Sequence, residues 1–144
     1  MTDCSIEFFD GAAPAACLAI RTRVFVEEQG VPVSAEVDGR DPGCVHALAR
    51  VGREPVGCAR MRLLDDGSAR IERVAVLPAR RQEGFGVRLM AALEAEARAR
   101  GWRRLQLHAQ HTVVRFYEQL AWTPVGEPFE EAGIVHRAMV KTLS

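Results

Sequence analysis

Lysine is almost missing from this chain. Lys141 is the only one, so all but one of the 19 basic residues are arginine. A Walker loop needs a glycine-rich turn closed by Lys-Ser or Lys-Thr, and no glycine here leads into either pair. An excess of one charge is missing too. The 19 acidic residues cancel the basic ones, and the net charge is zero, whereas a nucleic-acid binder usually carries a basic excess. The cysteines, Cys4, Cys17, Cys44 and Cys58, form no C-x-x-C pair, which excludes a zinc knuckle or a dithiol redox motif of that spacing. They read as reduced, mostly packed thiols. No apolar run approaches the ~20 residues of a membrane span. The opening MTDCSIEFFD has neither the basic start nor the apolar stretch of a signal peptide. Together these absences read as a cytoplasmic protein with no nucleic-acid and no membrane partner.

What is present suffices for a core. The 144 residues are 48% hydrophobic and 26% charged, and they read as one domain over 1–144. Residues 5–9 alternate as a short strand. Pro14 is placed to open a helix over 14–25, with Ala15, Leu18, Ala19, Thr22 and Phe25 at helical spacing. Residues 26–33 predict a broken helix or loop, and 34–43 a loop. Residues 44–51, 56–64 and 69–77 then alternate as strands with Gly52-Arg53-Glu54 and Asp65-Asp66-Gly67 between them, an antiparallel meander.

The strongest helix opens at Gly84 or Gly86, carries Val87, Met90, Leu93 and Ala97 on one face, and ends at Gly101. Glu94–Arg98 and Glu96–Arg100 are its expected i,i+4 pairs. A strand over 104–109 follows, then a short helix capped by Thr112 with Val113, Phe116, Tyr117 and Leu120 along one side. Residues 122–126 and 134–142 predict a closing hairpin around a 127–133 loop. The strand–helix–strand unit over 69–109 calls for a parallel crossover, so the sheet is mixed.

The turn between the 69–77 strand and the long helix carries the chemistry. It reads Arg81-Gln82-Glu83-Gly84-Phe85-Gly86. A helix start presents free N–H groups and a partial positive charge, and glycines let a phosphate approach the backbone. A dinucleotide fingerprint would need a third glycine where Leu89 stands.

The pattern R-x-x-G-x-G, with RVAVLP before it, VRLMAALEAEARARG after it and LQLHAQHTVVRFYEQLAW downstream, resembles the GNAT superfamily of N-acetyltransferases over roughly residues 20–143. VFVEEQGVP, EVDGRD, LHAQ, FYEQLAW and AGIVHRAM look most like its ElaA/YjcF branch. The resemblance implies an α/β (α+β) fold: a mixed, mostly antiparallel sheet with a splayed central parallel pair, flanked by helices.

It implies acetyl-CoA as cosubstrate. The backbone N–H groups of Gln82, Glu83, Gly84, Phe85, Gly86 and Val87 would surround the pyrophosphate, with Arg81 adding charge. Val74, Ala75 and Val76 would hold the pantetheine arm and the acetyl carbonyl. Tyr117 matches the family tyrosine that protonates the departing thiolate as general acid. Glu72 is a possible base, with an ion pair to Arg60, Arg62 or Arg73 as the competing reading. His46, His108, His111 and His136 are further base candidates. Glu36, Asp38 and Asp41 form an acidic loop that could attract a cationic amine or simply be solvated; it lacks EF-hand spacing, and no metal is expected.

Two departures stand out. Gln82 and Glu83 replace a glycine and a basic residue common in the family, and Ala121 replaces a glycine after the Tyr117 helix. The implied reaction is acetyl transfer to a primary amine, of a small molecule or a peptide, by direct attack in a ternary complex. Nothing in the sequence places Cys44 or Cys58 as a nucleophile, and neither is excluded. The rivals are a non-catalytic acyl-CoA-binding regulatory or interaction module, and a structural protein with no CoA site. The apolar C-terminal hairpin could support a homodimer.

Overall fold

The computed structural model describes residues 3–144. Seven strands form one sheet: β1 (Cys4–Asp10), β2 (Val45–Val51), β3 (Glu54–Leu63), β4 (Ala69–Val76), β5 (Arg104–Gln110), β6 (Thr123–Glu131) and β7 (Ile134–Thr142). Their order is β1-β2-β3-β4-β5-β7-β6. Every neighbouring pair is antiparallel except β4–β5, which is parallel. The helices are α1 (Ala15–Arg21), which widens into a π-type segment at Thr22–Glu28, a four-residue α2 (Val33–Glu36), α3 (Phe85–Ala99) and α4 (Val114–Gln119). The mixed, mostly antiparallel sheet expected from the sequence is present.

Two apolar clusters sandwich the sheet. On one face Ala47, Ala59, Met61 and Ile71 pack with Phe85, Leu89, Met90 and Leu93 of α3. On the other Leu48, Cys58 and Ala75 pack with Cys17, Ile20 and Val24. Alternation along β2 and β3 thus serves both layers.

In β4 the alternation changes phase. Ala69 and Ile71 lie with the α3 cluster, and so do Val74 and Val76. The cause is one extra residue: Arg60 pairs with Glu72 but Cys58 with Ala75. The bulge falls at Arg73, whose φ is +58°. Gly57 lies against it, where a Cβ would come within 3.0 Å of both the Ala75 carbonyl and Leu89 Cδ1.

Several boundaries depart from the sequence reading. Residues 34–43 are not simply a loop: α2 occupies Val33–Glu36, and a 3-10 turn spans Asp41–Gly43. Most of the expected 127–133 loop is strand, because β6 runs to Glu131 and turns at Ala132-Gly133. Thr112 does not cap α4; the N-cap is Val113, and no side chain bonds there. Val87 leaves the buried face of α3 and is 46% exposed, while Phe85 and Leu89 take the core positions. Glu96 pairs with Arg100 at 2.8 Å as expected, but Glu94 pairs with Lys141 at 2.9 Å.

Candidate functional site

The parallel pair is short. β4 and β5 pair only from Ala69–Leu105 to Ile71–Leu107. Beyond Ile71 the strands part, and the gap opens into a cleft of about 880 Å³. β4 lines it with Glu72 to Val76, β5 with His108 to Gln110, and α4 with Phe116 and Tyr117. The edge of β4 facing the gap therefore has no strand partner, and an extended ligand can pair with it.

At one end of the cleft stands the start of α3. Gly84 is the N-cap with φ +85° and no side-chain cap. The first intrahelical bond runs from Arg88 N–H to the Gly84 carbonyl at 3.1 Å. The N–H groups of Phe85, Gly86 and Val87 precede it, in the turn that a helix leaves without internal partners. Gly86 sits under Phe116, whose Cζ a Cβ would meet at 3.3 Å. Gln82, in place of the family glycine, takes φ +67°, the conformation a glycine would favour.

The charges around this turn are already partnered. Glu83 does not line the cleft; it pairs with Arg80 at 3.0 Å, which also holds Glu54 at 2.6 Å. Its negative charge is thus compensated beside the phosphate-type site. Arg81 donates to the Val76 carbonyl at 3.1 Å and makes a two-pronged contact with Glu28 at 2.7 Å each. The bond to Arg81 holds the Glu28 carboxyl below its usual range against slight desolvation.

Tyr117 is 7% exposed, lines the cleft and packs edge-on against Phe116 and Trp122. Burial pushes its phenol up to about 12. It is therefore protonated at neutral pH, the form a proton donor needs.

Glu72 is enclosed by arginines. Arg62 Nε donates at 2.9 Å, Arg60 Nη2 lies at 3.1 Å and Arg70 Nε at 3.4 Å. Burial opposes its ionisation, but the Arg62 bond and the surrounding guanidinium charges outweigh it and lower its pKa. This carboxylate suits charge compensation; a lowered pKa makes it a poor proton acceptor. The ion-pair reading placed Arg73 among its partners. Arg73 turns away instead and holds Glu36 at 2.6 Å.

The acidic loop is likewise consumed. Arg21, 1% exposed, bonds Glu36 at 2.9 Å and Asp41 at 2.8 Å. Fully buried Arg60 bonds Asp38 at 2.5 Å and Asp41 at 2.9 Å. His46 is buried and bonds the Asp41 carbonyl at 2.9 Å. These carboxylates do not stand free to attract a cationic amine. They strap residues 33–43 to β3 and to the bulge of β4, beside the cleft.

The remaining histidines separate. His111 lies outside the cleft lining, whereas His108 and His136 are part of it. Glu131 bonds His108 Nδ1 at 2.8 Å, and Arg70 Nη2 contacts the same nitrogen. Sequence reasoning offered no ranking among the four histidines, because the pairing of β5, β7 and β6 decides which ones meet.

The chain matches the family model described as an acetyltransferase (GNAT) domain over residues 21–143. It is 37% identical over 123 residues to the uncharacterized N-acetyltransferase YjcF of Bacillus subtilis, covering 85% of this chain and 87% of that protein. The crystal structure of Escherichia coli ElaA superposes with a TM-score of 0.80 at 32% identity, over 95% of this chain and 99% of that one. A GNAT family acetyltransferase of Elizabethkingia anophelis, solved with acetyl-CoA bound, shares the fold at a TM-score of 0.72 and 16% identity, over 97% of each chain. This chain belongs to the GNAT family of acetyltransferases.

Proposed function

We infer that the protein transfers an acetyl group from acetyl-CoA to a primary amine, by direct attack of the amine within a ternary complex. The observation that carries this reading is the meeting of three features in one cleft: an unpaired edge of β4, an uncapped helix start and a buried, protonated tyrosine. The Elizabethkingia anophelis protein of the same fold was solved with acetyl-CoA bound.

The residues fit that cosubstrate. The N–H groups from Gln82 to Val87 hold the pyrophosphate, and Gly84 leaves the approach open, since a Cβ there would meet nothing within 4 Å. Glu83 contributes its backbone; its side chain stays with Arg80. Arg81 adds charge once it exchanges Glu28 for phosphate. Backbone groups of Val74, Ala75 and Val76 bind the pantetheine arm. One N–H beside the bulge faces the thioester carbonyl and stabilises the oxyanion as the amine adds.

Tyr117 gives its proton to the departing thiolate. Glu72 offsets part of the charge of Arg60, Arg62 and Arg70 and is not assigned proton transfer. Among the described residues no cysteine lines the cleft, which agrees with direct attack: Cys58 is buried away from it, and burial raises the Cys44 thiol.

The single-domain reading, the cytoplasmic location and a small-molecule or peptide amine as acceptor belong to the same proposal. Thiol release from acetyl-CoA over a panel of primary amines tests it. Turnover with at least one amine supports it. Tight CoA binding without turnover on any amine would favour a regulatory CoA-binding module.

A further inference from the structure

His136 sits on β7 between Gln110 of β5 and Phe129 of β6. It is 9% exposed and lines the same cleft as Tyr117. Its Nδ1 lies 2.7 Å from the carbonyl of Ile134, two residues earlier on its own strand. A carbonyl only accepts, so Nδ1 must carry the proton. In the neutral ring the lone pair is then on Nε2. The ring also stacks on Phe129, with centroids 6.0 Å apart and planes 21° from parallel. Carbonyl and phenyl together hold one tautomer and one ring plane, the pre-organisation that a proton acceptor requires.

His108, on β5, packs edge-on against the same Phe129 at 4.9 Å. Its Nδ1 meets two partners with opposite demands. Arg70 can only donate to it, and Glu131 can only accept. Its tautomer is contested within an Arg70–His108–Glu131 group, while that of His136 is not.

We propose that His136 is the proton acceptor for the incoming amine; the assignment rests on the acetyl-transfer reading above. The acceptor enters as an ammonium ion and passes one proton to Nε2, which releases it to solvent. The freed lone pair forms the C–N bond at the thioester carbonyl. The C–S bond breaks, and the thiolate takes the phenol proton of Tyr117. The phenolate recovers a proton from the new amide nitrogen. One ammonium and one thioester become one amide, one thiol and one proton.

Several groups from the surrounding elements set the charge near this imidazole. Glu131 of β6, His108 of β5 and Arg70 of β4 form one ionic group, and Glu131 responds to the charge of His136. Arg137, next on β7, is held by the Gly126 carbonyl at 3.0 Å. The helical side offers neutral groups: Tyr117, Thr112 and Gln29, the last bonded to Gln110 at 2.8 Å. A positive charge gained by His136 is therefore faced by Glu131, whose own charge is shared with Arg70.

The test combines kinetics and spectroscopy on the full chain. With spermidine, 2-phenylethylamine and a peptide bearing a free N-terminus as probes, His136→Gln should lower kcat/KM about 100-fold, within the range of general-base catalysis. It should also remove the acid-side ionisation from the pH profile, and leave CoA affinity within about twofold of wild type. Long-range proton–nitrogen NMR of the wild-type imidazoles should show neutral His136 with its proton on Nδ1. An Nε2–H tautomer overturns the assignment, whatever the acceptor. So does a His136→Gln enzyme that keeps the acid limb while His108→Gln loses it. A wild-type protein that binds no CoA overturns the underlying reading, and the assignment with it.

Discussion

Arg81 and Glu28 face each other at the rim of the cleft, joined by two bonds of 2.7 Å from Nη1 and Nη2. Glu28 comes from the widened segment after α1, and Arg81 from the turn before α3. A carboxylate thus occupies the guanidinium fork that suits a phosphate equally well. Bound pyrophosphate and Glu28 compete for one fork. Glu28→Gln should therefore tighten CoA binding several-fold, and Arg81→Ala should weaken it. Titration calorimetry of both variants checks this. A Glu28→Gln variant that binds CoA more weakly would mean the pair serves the bound state instead.

Tyr117→Phe should separate chemistry from binding. Burial alone raises the phenol, with no hydrogen bond contributing, so removing the hydroxyl leaves no buried partner stranded. The melting temperature and the affinity for CoA should stay near wild type while kcat falls about 10²-fold or more. Steady-state kinetics beside a thermal melt reads both. Unchanged turnover would assign the proton to solvent.

The end of α4 holds a strain that one substitution should relieve. Ala121 N–H bonds the Glu118 carbonyl and Trp122 N–H the Tyr117 carbonyl, with Ala121 at φ +69°. The end of α3 has the same pair of bonds, from Gly101 to Arg98 and from Trp102 to Ala97, with glycine at the left-handed position. Lys141 Nζ supports the α4 end by donating to the Leu120 carbonyl at 2.7 Å. Ala121→Gly should add about 0.5–1 kcal/mol of stability after the greater freedom of glycine in the unfolded chain is counted. Urea denaturation measures it; a loss of stability would show that the left-handed alanine costs nothing here.

The strap over 33–43 should be sensitive to acid. The Arg60 bond holds the Asp38 carboxyl well below the usual range, over the opposing effect of burial. At Asp41 and Glu72 burial is the largest influence and opposes ionisation, but the combined arginine bonds and charges prevail and lower both. A folded pKa below the unfolded one means the folded chain favours the charged form. That contribution is complete above the unfolded carboxylate range, about pH 4–4.5, and fades as the pH falls through the lower folded values. Stability should be level from about pH 7 to 5 and decline below about pH 4. Arg60→Met removes the bonds to Asp38 and leaves Asp41 to Arg21 and Glu72 to Arg62 and Arg70, so it should cost about 2 kcal/mol at neutral pH. Denaturant titrations across this range check both.

The strands and the long helix were visible in the sequence as periodic patterns, but the buried face of α1 was not. Leu18 and Ala19, expected on the apolar face, are exposed, while Cys17, Ile20 and Val24 are buried. Alternation located the strands, and the turn from Arg81 to Gly86 located the helix start, because those signals are local. The bulge at Arg73 leaves no such mark. An arginine at φ +58° looks like any arginine, yet it changes the phase of β4 and sends that side chain to Glu36 rather than Glu72. The acidic loop was visible as charge, but its partners Arg21 and Arg60 lie about 20 residues away on either side, so its burial was not. Pro128 and the acidic residues after it read as a loop because β6 is an edge strand, where proline and charge are tolerated. The stacking of His136 on Phe129 depends on strand register, which composition does not carry.

The central claim is that the start of α3 holds the pyrophosphate of CoA. Gly84 allows a direct test, because an added Cβ meets open space and aspartate is among the residues that tolerate a left-handed backbone. Gly84→Asp should fold, and its charge should repel the phosphates, while Gly84→Asn supplies the same shape without that charge. Titration calorimetry of CoA into wild type and both variants should give one-to-one binding for wild type, a loss of about tenfold or more for aspartate, and a smaller loss for asparagine. CoA binding to Gly84→Asp as tight as to wild type would contradict the claim.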